Sequence, residues 1–263
     1  KFSIRYIITE HLSGVPALIK NPLFKYFIKR SVKGAEKITA VSEFHKSQLL
    51  TLKEIYFQPQ KFIVISNVVR PHTKTDVHIK YPANPDKYNF LMIANLTIKK
   101  HQPKRPDLVT KALAKLKDEL KKPARLVLIG GGERVKYYEN MCYENNIELV
   151  QTGFIPKEYV YEYYKQTDFL LHASEIETFS LVVAEALLFG IPCLASDNSA
   201  LKERIKPFSG LLVDNSVDSW AYGIQKLVQT QWDREKIKNY YRNLYTPESV
   251  GKAFHNLYKS LEL

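Results

Sequence analysis

Cysteine is scarce in this sequence, since only Cys142 and Cys193 occur among 263 residues. Two cysteines in apolar surroundings exclude a disulfide scaffold and a thiolate metal site, and they suit a reducing compartment. Long apolar runs are missing as well, because no segment approaches the roughly 20 residues that span a bilayer. We therefore expect a cytoplasmic protein. The opening segment KFSIRYIITEH is too polar at its end to be expected to act as a signal peptide.

Negative charge is in deficit, because 39 Lys and Arg residues stand against 27 Asp and Glu residues and give a net charge of +12. Such an excess suggests a partner such as nucleic acid, anionic lipid or a phosphorylated substrate. Nucleic-acid-binding modules carry recognisable signatures, and none of the usual ones occurs here. We therefore expect no nucleic-acid partner, and a solvated basic surface is the simplest alternative.

Apolar runs alternate with helical patterns along most of the chain. The predicted strands are 2–11, 37–42, 61–69, 90–96, 124–129, 147–151, 168–171 and 191–195, and the predicted helices include 43–53, 106–120, 133–145, 156–166 and 179–189. This alternation predicts an α/β fold with parallel sheets. A stretch with prolines and no period, 71–87, reads as a linker between two domains.

The stretch from His172 to Ser196 carries the strongest functional signal. It holds two glutamates, Glu177 and Glu185, with seven residues between them. Glu177 precedes the predicted helix, and Glu185 lies about two turns along it. The free N–H groups of Thr178 and its neighbours, at the start of that helix, favour an anion. A buried carboxylate costs several kcal/mol unless it is paired, so Glu185 either points to solvent or binds a polar partner.

This stretch resembles the pattern S-x-x-E-x-F-G-x-x-x-x-E-A-x-A-x-G-x-P of the retaining GT-B glycosyltransferases of glycosyltransferase family 4. The matching residues are Ser174, Glu177, Phe179, Glu185, Ala186, Gly190 and Pro192, while Ser180 stands where the family usually has glycine. Gly153-Phe154-Ile155-Pro156 and Gly210-Leu211-Leu212-Val213 resemble two further motifs of the family. The resemblance covers most of residues 88–215.

The resemblance implies a GT-B fold of two Rossmann-like domains. Residues 1–70 are expected to form the C-terminal portion of the first, acceptor-side domain, and 71–87 the linker. Residues 88–245 are expected to form the donor-binding domain, and 246–263 a helix that crosses back to the first domain. The family's opening glycine-rich loop and early strands have no counterpart before Lys1. We therefore expect an incomplete N-terminal domain in a piece of a longer protein.

The resemblance also implies catalytic roles for four residues. Glu177 would hydrogen-bond the donor sugar, and either Lys100 or Lys104 would hold the donor diphosphate, since the family's lysine matches Lys100 by spacing and Lys104 by its register to the next helix. His11 ends the first strand in a turn similar to the family's H-x-S turn, where the histidine lies beside the donor sugar. Without the resemblance, His11 would be an ordinary strand-end histidine and KKHQPKR a solvated basic loop.

The donor-binding residues implied by the same resemblance are Glu185, Thr178, Phe179, Ser180, Asn95, Arg105, Gly131 and Ser174. Glu185 would bind the ribose hydroxyls of the nucleotide. Asn95 stands where the family has the arginine of G-R-L, and Arg105 is a candidate to supply the missing charge. Gly131 lies in a run of three glycines that allows a phosphate to approach the backbone or a helix to pack closely.

The function implied is transfer of a sugar from a nucleotide-diphosphate sugar to an acceptor hydroxyl with retention, in polysaccharide or lipid-linked glycan biosynthesis. UDP, GDP and ADP sugars are the candidate donors. No Asp-x-Asp triplet occurs, so we expect no metal and no cofactor. The alternatives are a non-catalytic nucleotide-sugar-binding relative, suggested by Asn95 and the missing strands, and, less favoured, a basic nucleic-acid-binding protein.

Residues 20–37 read as a basic amphipathic helix with Phe24 and Phe27 at helical spacing. Such a helix can lie on the anionic inner face of the cytoplasmic membrane, which makes peripheral membrane contact one interpretation. More often the apolar stripe packs on its own domain while the lysines stay in water.

Overall fold

The computed structural model describes residues 4–11, 14–70, 78–97, 104–198 and 200–261. In this part of the chain two β-sheets form, and every strand pairing in them is parallel. The predicted α/β class with parallel sheets is therefore confirmed.

The first sheet has three strands in the order β1-β2-β3. Its elements are β1 (Ile7–Glu10), α1 (Val15–Leu18), α2 (Pro22–Gly34), β2 (Lys37–Ala40), α3 (Glu43–Leu50), a 3₁₀ turn (Pro59–Lys61) and β3 (Phe62–Val64). Asn21 caps α2 by accepting a hydrogen bond from the Leu23 N–H, and Pro22 occupies the first helical position. Strand β3 is shorter than the predicted 61–69, because residues 65–70 leave the sheet toward the second half of the chain.

The second sheet has six strands. They are β4 (Tyr88–Ile93), β5 (Ala124–Ile129), β6 (Glu148–Gly153), β7 (Phe169–His172), β8 (Cys193–Ser196) and β9 (Gly210–Val213), in the order β6-β5-β4-β7-β8-β9. The order reverses direction between β4 and β7. In open α/β sheets, ligands bind at the carboxyl ends of the strands beside such a reversal.

Helices cover both faces of the second sheet. They are α4 (Pro106–Lys115), α5 (Val135–Glu144), α6 (Lys157–Lys165), α7 (Leu181–Leu188), α8 (Leu201–Arg204), α9 (Val217–Gln229) and α10 (Arg234–Tyr245). Successive strand residues enter opposite cores: Leu170 packs with α6, α7 and α10, whereas Leu171 packs with α4 and α9. Burial on both faces explains why these strands read as continuous apolar runs.

The glycine run after β5 is required by a close approach of two loops. Gly130 and Gly132 have φ values of +134° and +141°, and a Cβ at either position would overlap the backbone of the loop after β4. The neighbour is thus a loop and not the closely packed helix that the sequence suggested, and approach of a phosphate to this run stays a prediction. At Gly131 a Cβ would meet the Phe154 ring.

Several contacts join the two halves of the chain. The last helix, α11 (Pro247–Ser260), packs its Val250 and Leu257 against Ile65, which follows β3. The Val69 N–H donates to the Tyr245 carbonyl at 2.8 Å. The buried Arg204 donates to the carbonyls of both Val41 (2.8 Å) and Phe179 (3.2 Å). A cleft lies between the two sheets, and the exact domain boundaries stay a prediction.

No helix among the described residues has both the length and the apolar character needed to cross a membrane.

Candidate active site at the carboxyl ends of the strands

Lys104 and Glu177 form an ion pair at the point where the second sheet reverses its strand order. Lys104 follows the loop after β4, and Glu177 follows β7. The backbone of Lys104 forms an isolated bridge with Ser174, and the Arg105 N–H donates to the Ala173 carbonyl at 3.1 Å. These backbone contacts fix the two loops side by side. We call this ion pair the Lys104–Glu177 pair.

His172 contacts both members of the pair from the end of β7. Its Nε2 atom lies 2.8 Å from Glu177 Oε1, 3.2 Å from Lys104 Nζ and 3.1 Å from Ser180 Oγ. The residue is only 1% exposed. His172 therefore forms the inner wall of the site.

The surroundings fix the charges of this cluster. Burial would raise the pKa of Glu177, but the hydrogen bond from His172, together with the charge and hydrogen bond of Lys104, lowers that pKa to about 2. Burial lowers the pKa of His172, and the charge of Lys104 lowers it further, against the opposing effect of Glu177. At neutral pH the site thus holds an ionised Glu177 carboxylate beside a neutral His172 imidazole.

A cleft of about 470 Å³ opens in front of the pair. The side of the first sheet contributes His11, at the end of β1, and Asn67 and Val68, after β3. The second half contributes Lys104, Glu177, Thr178, Phe179, Ser180, Leu181 and Val182. The structure thus brings together His11, Lys104, Glu177, Thr178, Phe179 and Ser180 of the predicted site residues.

Helix α7 begins at Leu181, two residues later than predicted. Ser180 takes left-handed backbone angles (φ +63°, ψ +86°), which end the preceding loop and start the helix. Leu181 and Val182 line the cleft, so N–H groups of the first helical turn lie at its wall. These N–H groups, rather than that of Thr178, are the helix-terminal donors. Ser42 holds the loop by donating to the Thr178 carbonyl at 2.6 Å.

The Phe179 side chain is buried rather than directed into the cleft. Its ring lies 3.9 Å from the guanidinium carbon of Arg204 and packs edge-on against Tyr245. Phe179 therefore secures the loop that carries Glu177, and a direct contact with a donor stays a prediction.

Glu185 lies in a separate polar pocket inside α7. It is 7% exposed, so the interpretation that it points to solvent is wrong. Its Oε1 lies 3.0 Å from Lys157 Nζ, and its Oε2 accepts a hydrogen bond from the Tyr164 hydroxyl at 3.1 Å. Burial and the nearby Glu185 charge raise the pKa of Tyr164 well above its usual value. Contact with a ribose stays a prediction.

Arg105 is held by two carboxylates. It donates to Asp107 at 2.8 and 3.0 Å and to Glu175 at 3.3 Å. The hydrogen bond to Asp107 is the main cause that raises the pKa of Arg105. Its charge is thus already compensated, and phosphate binding by Arg105 stays a prediction. A second depression, of about 550 Å³, lies between Arg105 and the start of α5.

The remaining predicted residues shape loops. Asn95 is exposed, and its Oδ1 accepts a hydrogen bond from the Thr97 N–H at 3.0 Å. Ser174 is fully buried, donates from its N–H to Ser196 Oγ at 2.9 Å and from its Oγ to the Ile176 carbonyl at 3.1 Å. Lys100 lies outside the described residues.

Two residues of the site were not predicted from the sequence, His172 and Lys157. The position of His172 offered a signal, since it is a polar residue at the carboxyl end of a buried strand and only five residues before Glu177. The sequence offered no such signal for Lys157, because Lys157 lies on α6 whereas its partner Glu185 lies on α7.

No group of three or more His, Cys, Asp or Glu residues suited to a metal ion occurs within the described ranges. The expected independence of metal stays a prediction.

Known proteins resemble this chain in sequence and in fold. The family profile described as "Glycosyl transferases group 1" matches residues 73–244. An uncharacterized glycosyltransferase of Methanocaldococcus jannaschii is 28% identical over 219 residues, which cover 82% of this chain and 56% of that protein. Another from the same organism is 30% identical over 144 residues, which cover 52% and 37%.

Among solved structures, Anabaena HepE in complex with UDP superposes with a TM-score of 0.77 at 14% identity, covering 97% of this chain and 72% of that chain. This likeness confirms the predicted GT-B architecture. The chain spans about half the length of the curated relatives it matches, 37% and 56% of the two archaeal proteins.

Proposed function

Because the chain belongs to the family of glycosyl transferases group 1, we propose that it transfers a sugar from a nucleotide-diphosphate sugar to an acceptor hydroxyl with retention of anomeric configuration. This is the family that the motifs of residues 174–192 predict. One observation carries the proposal: the Lys104–Glu177 pair lies at the reversal of strand order and faces His11 across the cleft.

The demanding step in such a reaction is departure of the diphosphate while positive charge develops on the sugar. A fixed cation and helix N–H groups stabilise the leaving phosphate most strongly in a site with little water. Lys104 and the first turn of α7 supply these groups at the cleft wall. In the free protein Glu177 attracts Lys104, so a diphosphate must draw Lys104 away from it.

Movement of Lys104 would free Glu177 to accept hydrogen bonds from the donor sugar. Since the pKa of Glu177 is about 2, the carboxylate is ionised at neutral pH and acts only as an acceptor. Donor binding and exposure of this acceptor are thereby coupled. Glu185 would accept the ribose hydroxyls, which requires Lys157 to leave Oε1. Lys157 is 58% exposed and so has room to move.

The strongest competing function is nucleotide-sugar binding without transfer. Asn95 has no positive charge, and Arg105 is occupied by Asp107 and Glu175. Lys104 would then be the main cation available to a leaving diphosphate in the described part of the site. Binding of donor without any product would favour this alternative.

The test is calorimetric titration with UDP, GDP, ADP and their common sugar conjugates, followed by a product assay with the nucleotide that binds. We expect one base to bind, and Lys104→Ala to weaken binding of the diphosphate. Lys115→Ala is the matched control, because it removes an exposed ion pair with Asp218 at the far end of α4. If the full-length protein binds none of these nucleotides or nucleotide sugars, the proposal is contradicted.

The acceptor side is proposed to be a glycan or a lipid-linked glycan, with peripheral membrane contact through α2. In α2 only Val32 is buried, while Leu23, Phe24, Tyr26 and Phe27 are 51–61% exposed. At 3.6 residues per turn, Leu23 and Phe27 lie on the face opposite Val32. About half of the surface of each of these side chains is therefore left uncovered by the described part of the chain.

Basic residues surround this exposed apolar face, and α2 has no acidic residue. An anionic bilayer is the surface that accepts both features. Cosedimentation with phosphatidylglycerol vesicles should exceed that with phosphatidylcholine vesicles, and Phe24→Ser with Phe27→Ser should abolish it. Tyr222→Ser, which alters an exposed aromatic on α9, is the control. Membrane contact would be contradicted if the parent sediments equally with both kinds of vesicle. It would also be contradicted if the double variant sediments with phosphatidylglycerol vesicles as much as the parent does.

A further inference from the structure

Ser180 has an unusual backbone for a residue with a side chain. It is one of three non-glycine residues with positive φ in the described chain, with Tyr56 and Asn146. Left-handed angles cost free energy for such residues, and strain of this kind often marks a functional position. Ser180 is also 7% exposed, and its Oγ lies 3.1 Å from His172 Nε2. A glycine here would remove the strain but also this contact.

The contacts of His172 fix where its proton lies. An ionised carboxylate is only an acceptor, so the 2.8 Å distance to Glu177 Oε1 requires a hydrogen on Nε2. The Ser180 hydroxyl oxygen then accepts from the same N–H. Lys104 is only a donor, so its 3.2 Å approach to Nε2 is not a hydrogen bond. The attraction that holds Lys104 here is that of Glu177.

From these contacts we propose that His172 and Ser180 are positioning residues: Ser180 holds the His172 ring, and the Nε2–H of His172 holds Glu177 in its orientation when Lys104 moves to the donor diphosphate. The reaction that they serve is that of the proposed function. His172 is buried at the end of β7 and cannot follow Lys104. Glu177 thus keeps one fixed partner before and after donor binding.

The charged groups that face His172 are Lys104, from the segment before α4, and Glu177, from the loop before α7. Burial and the charge of Lys104 disfavour a second proton on the ring, whereas Glu177 opposes them and selects Nε2 for the first proton. The net effect is a lowered pKa of His172, so the ring is neutral at pH 7. This state provides a hydrogen-bond donor without adding a second positive charge beside the sugar.

Four variants test the proposal in steady-state assays with the full chain. His172→Leu removes the N–H and should lower kcat about tenfold to 100-fold, the range for a lost hydrogen bond to a charged group. His172→Gln keeps an N–H donor and should recover most of that loss. Ser180→Ala and Ser180→Gly should each lower kcat by a smaller factor. The KM for the donor should change less than kcat in all four, because Lys104 is untouched.

Ser180→Gly separates positioning from simple packing. It should raise the melting temperature by relieving positive φ, yet lower kcat. Asn146→Gly is the matched control: Asn146 has φ +53° in the turn after α5, away from the cleft, and its replacement should raise stability without changing kcat. A Ser180→Gly protein with gained stability and parental kcat would overturn the role of Ser180.

A second readout does not depend on sugar transfer. The ¹⁵N NMR spectrum of the His172 ring in the free protein should show a neutral ring with its proton on Nε2 at pH 7. A proton on Nδ1 alone, or a charged ring at pH 7, would overturn the positioning role even if the protein transfers sugar. If the ring shows the expected tautomer and the protein binds donor but forms no product, the His172–Glu177 contact is supported. Only the proposed sugar transfer would then be overturned.

Discussion

The two glutamates of the central motif occupy contrasting surroundings. Glu177 lies in a loop, faces an open cleft and contacts Lys104 and the buried His172. Glu185 lies inside α7, and contacts Tyr164 and the exposed Lys157. In the described part of the chain, each carboxylate contacts one lysine and one buried side chain.

The difference lies in what each carboxylate can reach once its lysine leaves. Glu177 opens onto the space between the sheets, where a donor sugar and an acceptor would meet. Glu185 contacts Lys157 of α6, and we expect it to bind a peripheral part of the donor such as a ribose. We therefore expect the first glutamate to take part in the chemistry and the second to bind the nucleotide.

The largest expected effect is that of Lys104→Ala. Loss of the cation should lower the transfer rate about 100-fold to 1000-fold, as for removal of a group that stabilises developing charge. Lys115→Ala, at the far end of α4, should leave the rate unchanged. A rate for Lys104→Ala within a few fold of the parent would contradict a role for Lys104 in sugar transfer. It would also weaken the proposal that Glu177, its partner, differs in function from Glu185.

Acid should destabilise the protein through Glu177. Its pKa falls from 4.5 in the unfolded chain to about 2 in the folded protein. The stability that the ionised Glu177 contributes is therefore complete above pH 4.5 and is lost as pH falls toward 2. The shift corresponds to about 3 kcal/mol of unfolding free energy. Because the pKa of His172 is lowered in the folded protein, His172 also makes the protein less stable as pH falls below 6.5.

Urea denaturation of the parent and of Glu177→Gln at pH 5 and pH 3 measures this effect. The parent should lose more stability than the variant over this interval. Glu235→Gln, which alters an exposed surface carboxylate, should behave like the parent. Equal losses in the parent and Glu177→Gln would contradict the assigned ion pair.

The smallest expected effect concerns the second glutamate. Because a ribose would compete with Lys157 for Glu185 Oε1, Lys157→Met should tighten nucleotide binding by roughly twofold to fivefold, a small effect because Lys157, though not Glu185, is largely exposed to water. Lys165→Met, two turns further along α6 and paired with Glu162, should have no effect. Weaker nucleotide binding in Lys157→Met would mean that Lys157 itself holds the donor.

Structural features that depend on neighbouring residues in the chain could be predicted from the sequence. Strand β5 has the predicted bounds, Ala124–Ile129, because an apolar run ends directly at glycine. The carboxyl ends of β4 and β7 meet as expected for a parallel sheet, and this brings Lys104 to Glu177. The choice between Lys100 and Lys104 was open from the sequence, because it depends on the path of the loop that precedes α4.

Contacts between distant residues could not be predicted. Lys157 and Glu185 lie on different helices, and no spacing rule relates them. The start of α7 was placed too early, since serine gives no sign that it will take left-handed angles. The pairing of Arg105 with Asp107 and Glu175 likewise depends on the fold of the loops that carry them.

The account is tested most directly by comparing Glu177→Gln with Glu185→Gln in one pair of assays, kcat at saturating donor and the nucleotide dissociation constant. We expect Glu177→Gln to lose about 100-fold or more in kcat while it still binds the nucleotide. Glu185→Gln should instead weaken nucleotide binding about tenfold or more and retain most of its kcat at saturation. Parental transfer by Glu177→Gln, or the same loss of nucleotide binding in both variants, would contradict the division of roles between the two glutamates.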